Sequence, residues 1–312
     1  MFTRLRSLPF AVVLTMVLRK SVKSLQCIVN ETMHGLCLEE VTASAYSQAR
    51  YKLKHTAFIE LNQKAIVDVL YQDEDFKKFW GKRILAIDGS KIRLPNTQEI
   101  CDTFGTIAYS QGLDSDVQGE HPYALGSVLF DVLNRVAIDA TLAQANAYEV
   151  DLAIAHLAHT RCGDLLLMDR NYPSYRMLAT LLKNERDFAI RCSAASFGVA
   201  RRMLKGEGAD SQIVTLRPCA EQMPMIRAFG LPETLTVRFV RVLLSTGEFE
   251  VMVTSLLDET GYPSDDFLAL YGLRWGIEID QPCCLHKSVL RKLLYRFCDW
   301  FYPGTINSPQ FT

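Results

Sequence analysis

The chain has 312 residues, which bounds it to one large domain or two of medium size, with ample material for a core. Its 49% hydrophobic and 22% charged residues are ordinary for a soluble globular protein, and a formal net charge of -1 excludes a nucleic-acid footprint spread over the whole surface. Any DNA affinity must come from local basic patches; one candidate is the segment up to Glu60, where Arg4, Arg6, Arg19, Lys20, Lys23, Arg50, Lys52 and Lys54 face only Glu31, Glu39, Glu40 and Glu60.

Leu8 to Leu18, LPFAVVLTMVL, follows Arg4 and Arg6 and so mimics a secretory signal. It is too short to span a bilayer, Arg19 and Lys20 follow at once, and no cleavage-site pattern appears, so it reads as a buried helix, with a secretory signal as the lesser alternative. Further helices are predicted over Glu39 to Leu53 and Ala57 to Tyr71. Gly81-Lys82 punctuates the entry to a strand, Ile84 to Asp88, that continues as Lys91 to Leu94 before Pro95. Leu125 to Leu133 and Val136 to Leu142 read as a hairpin turning at Asn134-Arg135. Tyr148 to Thr160 looks helical, and Leu165 to Met168 is a continuous apolar run suited to a strand buried on both faces. Ser174 is an N-cap for a helix over Tyr175 to Asn184, and Phe188 to Arg191 is another strand. This order suits a ribonuclease-H-like mixed sheet, although other α/β folds share it. Polar turns then alternate with strand-like runs, Gln212 to Leu216, Leu235 to Leu244 and Glu248 to Thr254, before a helix over Phe267 to Asp280 begins after Asp265 and Asp266. Nine cysteines, without spacing suited to zinc, read as reduced and mostly buried, which points to the cytoplasm.

Three acids stand out by context. Asp88 ends the apolar run RILAIDGS, Asp169 ends DLLLMDRNY, and Glu278 lies in LYGLRWGIEID, where Tyr271, Arg274 and Glu278 fall on one helix face at i, i+3 and i+7. Two strands and a helix could therefore bring Asp88, Asp169 and Glu278 together.

These motifs resemble those of the DDE transposases of bacterial insertion sequences, in the insertion-sequence-four branch. That branch carries a first Asp in a strand like AIDGS, a second in a strand like DR-x-Y, and a helix with Tyr, two residues, Arg, three residues, Glu, six residues, Lys. The resemblance runs roughly from Leu8 to Asp280 and includes VTASAYSQARYKL at Val41 to Leu53. It implies an α/β ribonuclease-H-like core with a mostly β insertion and an N-terminal helical domain. The expected divisions are 1–80 for the helical, DNA-end-binding part, 81–193 for the first part of the core, 194–261 for the insertion, 262–281 for the glutamate helix and 282–312 for a divergent tail.

The implied chemistry is in-line displacement at phosphorus, in which two divalent ions activate the nucleophile and stabilise the leaving oxygen. By resemblance Asp88, Asp169 and Glu278 are catalytic and hold the metal, Mg²⁺ or alternatively Mn²⁺, while Tyr271 and Arg274 hold DNA phosphate. The implied partners are double-stranded DNA, both terminal inverted repeats and target, and a second copy in a synaptic homodimer, with no membrane partner.

Each residue also has a plainer reading. Asp88 before Gly89 could shape a turn, Asp169 could cap or pair locally, and Glu278 could be a solvated helix acid. Tyr271 could pack in the core with Arg274 paired to an acid. Asp131 and Asp139 read as surface or turn acids, and His156 and His159 as a solvated or packed pair. The resemblance also breaks after Asp280. Leu285 stands where the signature has Lys, and Pro282 would crowd the carbonyl of Glu278 itself. The alternative expectation is a truncated or frameshifted, inactive remnant that binds DNA or intact protomers without catalysis.

Overall fold

The computed structural model describes residues 8–18, 22–110 and 118–279, with side chains at 109–110, 118 and 275–279 lying outside the description. The described residues fall into two compact units that divide after Asp68.

The first unit is helical: α1 (Phe10–Leu18), α2 (Leu25–Gly35), α3 (Ala43–Arg50) and α4 (Thr56–Asn62), which runs through a π-helical turn (Gln63–Val67) into the short α5 (Asp68–Leu70). Val12, Val13, Met16 and Val17 of α1 pack with Val29, Met33, Tyr46 and Leu53, so the apolar N-terminal run is a core helix. No helix among the described residues is long and apolar enough to cross a membrane. Ser24 and Thr42 cap α2 and α3 through their hydroxyls. The Gln26 side chain accepts from Ala43 N at 2.7 Å and donates to Val41 O at 3.0 Å, tying the two helices together.

The second unit is built on one mixed sheet. In chain order it runs β1 (Ile84–Arg93), α6 (Gln98–Phe104), β2 (Thr106–Ser110), β3 (Gln118–Asp131), β4 (Val136–Gln144), α7 (Glu149–His156, with a 3-10 turn to His159), β5 (Leu165–Met168), α8 (Tyr175–Lys183) and β6 (Asp187–Cys192). Then follow α9 (Gly198–Leu204), β7 (Ser211–Leu216), α10 (Met223–Ala228), β8 (Leu235–Leu243), β9 (Phe249–Thr254) and α11 (Asp266–Ile279). The path β4-β3-β1-β5-β6, antiparallel through β1 and parallel from β1 to β6, is a ribonuclease-H-like core. The strands after β6 continue the same sheet as β9-β8-β7. β2, which follows α6, pairs antiparallel with the first part of β3.

Local chemistry explains the boundaries. Trp80 and Gly81 both have positive φ, closing the tight turn in which Phe79 and Lys82 exchange backbone hydrogen bonds. Ser174 Oγ accepts from Met177 N at 3.3 Å and caps α8. Asp131 is fully buried rather than on the surface. It accepts from Tyr71 Oη at 2.6 Å, and from Leu133 N and Asn134 N at 3.0 and 2.9 Å, which shapes the β3 to β4 turn.

Two buried arginines brace the sheet. Arg83 lies against Asp164 in a two-pronged pair, Nε to Oδ1 at 2.9 Å and Nη2 to Oδ2 at 2.5 Å, bridging the starts of β1 and β5. Arg238 on β8, fully buried, donates to Ser211 Oγ at 2.8 Å, Tyr262 O at 2.7 Å and Ser264 Oγ at 2.9 Å, fastening the chain just ahead of α11. Phe267 and Leu270 of α11 are fully buried, and the Trp80 ring meets Tyr262 and Phe267 with centroids 5.0 and 5.7 Å away.

The cysteines depart from the expectation that most are buried. Among those described, Cys27, Cys37, Cys162 and Cys219 are exposed, Cys101 is intermediate and Cys192 is buried, all as free thiols. The exposed ones sit on a helix face or in connections that have little apolar surface to cover them, and burial pushes the Cys192 thiol up to about 12.

Asp164→Ala would leave the Arg83 guanidinium buried without its acid and should lower unfolding free energy by about 3–5 kcal/mol in urea titration, whereas loss of a surface pair costs below about 1 kcal/mol. Native-state alkylation at mildly alkaline pH, read by mass spectrometry, should label Cys27, Cys37, Cys162 and Cys219 and spare Cys192 until denaturant is added.

Candidate active site

β1 and β5 run parallel with Ile84, Leu85 and Ala86 opposite Leu165, Leu166 and Leu167. Carried two residues further, this register would put Asp88 level with Asp169, the residue after the end of β5. Beyond Ala86 the β1 to β5 pairing ends while β1 stays paired to β3, Asp88 opposite Val128 and Gly89 opposite Ser127. The strand ends thus part into a crevice at the carboxyl edge of the parallel strands, where ligands of open α/β sheets are bound.

Asp88 is therefore in mid-strand, and the turn reading of Asp-Gly does not hold. Gly89 has another reason to be glycine. A Cβ there would sit 3.1 Å from Cδ and 3.3 Å from Oε1 of Glu149, the first residue of α7. Asp169 follows the last residue of β5, and one of its oxygens accepts from Asn171 N at 2.9 Å, so the local-turn reading of this acid is realised in part.

α11 brings the other residues. Tyr271 and Arg274 are 1% and 5% exposed, Arg274 Nε donates to Tyr271 Oη at 3.0 Å, and its Nη1 lies 3.9 Å from Asp88 Oδ1. Burial raises the Tyr271 phenol against the opposing pull of Arg274. Glu278 belongs to α11, four positions after Arg274 and so on the same face of the helix backbone, but its side chain lies outside the described residues. Lys287, Pro282 and Leu285 also lie outside them.

Two residues given no role on the sequence complete the crevice. Burial and the charge of Asp169 hold the Glu149 carboxyl above the usual carboxylate range, with Lys91 and the Asn171 amide acting against them. Tyr172 is 1% exposed and its hydroxyl has no hydrogen-bond partner. Burial, then the charges of Glu149, Asp88 and Asp169, push its phenol far up, and Arg274 opposes them. Tyr172 stands in the DR-x-Y pattern, so its position was legible; Glu149 is announced only by the glycine it touches.

Hard carboxylate oxygens with a buried hydroxyl lacking a partner suit a divalent cation such as Mg²⁺. Among the described residues, no three His, Cys, Asp or Glu side chains converge closely enough to hold an ion by direct ligation. His156 and His159 do not form a metal pair. His156, 1% exposed, and His159, largely exposed, approach the same Asp139 oxygen at 2.6 and 3.6 Å. That contact makes Asp139 part of a packed network instead of a free surface acid.

A search of solved structures finds, among other matches, the cryo-EM structure of the piggyBac transposase synaptic complex with hairpin DNA, at 11% identity and a TM-score of 0.42, covering 93% of this chain. The chain spans 63% of the length of that protein's chain. Comparison with curated proteins gives no match. The family described as the transposase DDE domain matches residues 79–281, well over half of the sequence and every element from β1 to α11. The chain belongs to the transposase DDE domain family.

Proposed function

We propose that this chain is a transposase of the insertion-sequence-four branch that cuts DNA at the terminal inverted repeats of its own element and joins the ends to target DNA. The observation that carries the reading is the register of β1 and β5, which sets Asp88 level with Asp169, with Arg274 of α11 beside Asp88. Asp88, Asp169 and Glu278 are the catalytic acids, and together they hold Mg²⁺ or Mn²⁺. A divalent ion bound there supplies Lewis-acid polarisation of a phosphate oxygen and a lowered pKa for the attacking water or 3′ hydroxyl. The chain's own part is to fix two carboxylates on rigid strand ends, present a third from a helix braced by Arg238, and exclude water with the buried rings of Tyr172 and Tyr271.

Arg274 borders the place where a scissile phosphate would lie, and its guanidinium suits a pair of phosphate oxygens. Tyr271, bonded to it, holds its orientation. The helical N-terminal region, expected over 1–80, would contact the DNA end, and the exposed Arg201, Arg202 and Lys205 at α9 would add phosphate contacts. The enzyme would act in the cytoplasm as a homodimer that holds two ends together.

The second reading, an inactive remnant, is favoured by Leu285 and Pro282. One assay separates the two. A duplex carrying the element's terminal repeat is incubated with purified protein and Mg²⁺ or Mn²⁺, and nicked and joined products are resolved on gels. Wild-type protein should cleave, and Asp88→Asn or Asp169→Asn should lower the rate on the order of 10³-fold or more. No wild-type product under either ion selects the remnant, and product from Asp88→Asn removes the site assignment.

Arg274→Ala should weaken binding to the same duplex and reduce the slope of log affinity against log salt by about one phosphate contact. An unchanged slope with a lowered Tm would make Arg274 only the partner of Asp88.

A further inference from the structure

Glu149 is brought to the crevice by a device that reaches across three elements. Seven positions along α7, on the same helix face, His156 is 1% exposed and engaged at both ring nitrogens, Nδ1 2.6 Å from Asp139 Oδ2 and Nε2 3.0 Å from Ser127 Oγ. Asp139 is on β4, Ser127 on β3, and Ser127 is the cross-strand partner of Gly89. These three residue types would suit a hydrolytic triad, but Ser127 is 1% exposed and no substrate can reach it. Their role is to lock α7 onto the sheet at its far end, which sets the near end, Glu149, against the bare backbone of Gly89.

An acid in the first turn of a helix is favourable against the helix dipole, and that alone would leave Glu149 free to turn toward solvent. Instead its carboxyl lies against the residue after Asp88 and within reach of the charge of Asp169. A second observation is the Tyr172 hydroxyl, buried and without a partner, which lies where the charges of Glu149, Asp88 and Asp169 all reach it. A buried hydroxyl without a partner is costly, and a small hydrated ligand among the acids would satisfy it.

We propose that Glu149 is a further carboxylate of the divalent-cation site, acting on the ion through water beside Asp88 and Asp169, with the Tyr172 hydroxyl hydrogen-bonded to the same water. Action through water agrees with the lack of three directly converging ligands among the described residues, and with the several waters that Mg²⁺ retains. The inference rests on the reading of Asp88 and Asp169 as metal-holding acids.

The test is Mn²⁺ binding to the full chain without DNA, followed by electron paramagnetic resonance of the free ion, together with thermal unfolding with and without Mn²⁺. Glu149→Gln should weaken Mn²⁺ binding by about 10-fold or more, as loss of an outer-shell partner does, and should raise the Tm of the metal-free protein by removing a charge that repels Asp169. Tyr172→Phe should shift both readouts in the same directions, because it deletes the unsatisfied hydroxyl. Asp88→Asn should lose Mn²⁺ binding. Wild-type affinity in Glu149→Gln, with a lowered metal-free Tm and with Asp88→Asn defective, would make Glu149 a helix-end acid and overturn the inference while leaving the site reading intact. Wild-type affinity in Asp88→Asn would overturn both.

Discussion

Where β1 lies parallel to β5, six paired residues, Ile84, Leu85 and Ala86 against Leu165, Leu166 and Leu167, are buried to within 1% of completely. Burying a large aliphatic side chain is worth about 1.5–3 kcal/mol, so this seam contributes on the order of 10 kcal/mol before entropy is counted. Two like unit charges about 5 Å apart repel by roughly 3 kcal/mol at an effective dielectric near 20. The packing of the seam exceeds a repulsion of that size, so apolar burial can carry Asp88 and Asp169 on the strand ends that follow it.

The seam is also guarded at its entrance. The Arg83 to Asp164 pair bridges the residues just before β1 and β5, so the register is pinned before the apolar run begins. A one-residue slip in a sheet moves every side chain to the opposite face, and here it would separate the two acids as well. On the far side of the sheet, Arg238 does for α11 what Arg83 does for the strands. It ties β8 to the residues that lead into the helix, so Tyr271 and Arg274 arrive over Asp88 from a fixed direction. The strands of the insertion are thus part of the scaffold of the site, because β8 belongs to the same sheet as β1.

The polar groups behind the crevice follow the same logic. Buried His156 and Ser127 and half-buried Asp139 form a network whose members satisfy one another, and they sit on three elements that need a common orientation. The one buried side-chain group left without a partner among the described residues is at the crevice itself, at Tyr172. A buried hydroxyl without a partner is an exception to the rule that buried polar groups are hydrogen-bonded, and here it falls where the charges of Asp88, Asp169 and Glu149 reach.

Much of this was legible in the chain. LLLM at Leu165 suited a strand covered on both faces, Ser174 announced α8, and the contexts of Asp88, Asp169 and the Tyr271, Arg274, Glu278 spacing resembled DDE transposases, of which the match to residues 79–281 bears out the DDE domain. Such signals are local: apolar period, caps and short motifs act within a few residues of where they are written. The tertiary structure alone decided which distant residues would meet. Gly89 looked like a turn residue because its real constraint, the carboxyl of Glu149, is sixty positions away. Asp131 and Asp139 read as surface or turn acids; Asp131 does shape a turn, but its burial, and the pairing of Asp139, were hidden because Tyr71 and His156 become their partners only when the sheet closes. Cysteine burial was misjudged for the same reason, since exposure is set by what packs over a residue and not by its own hydrophobicity.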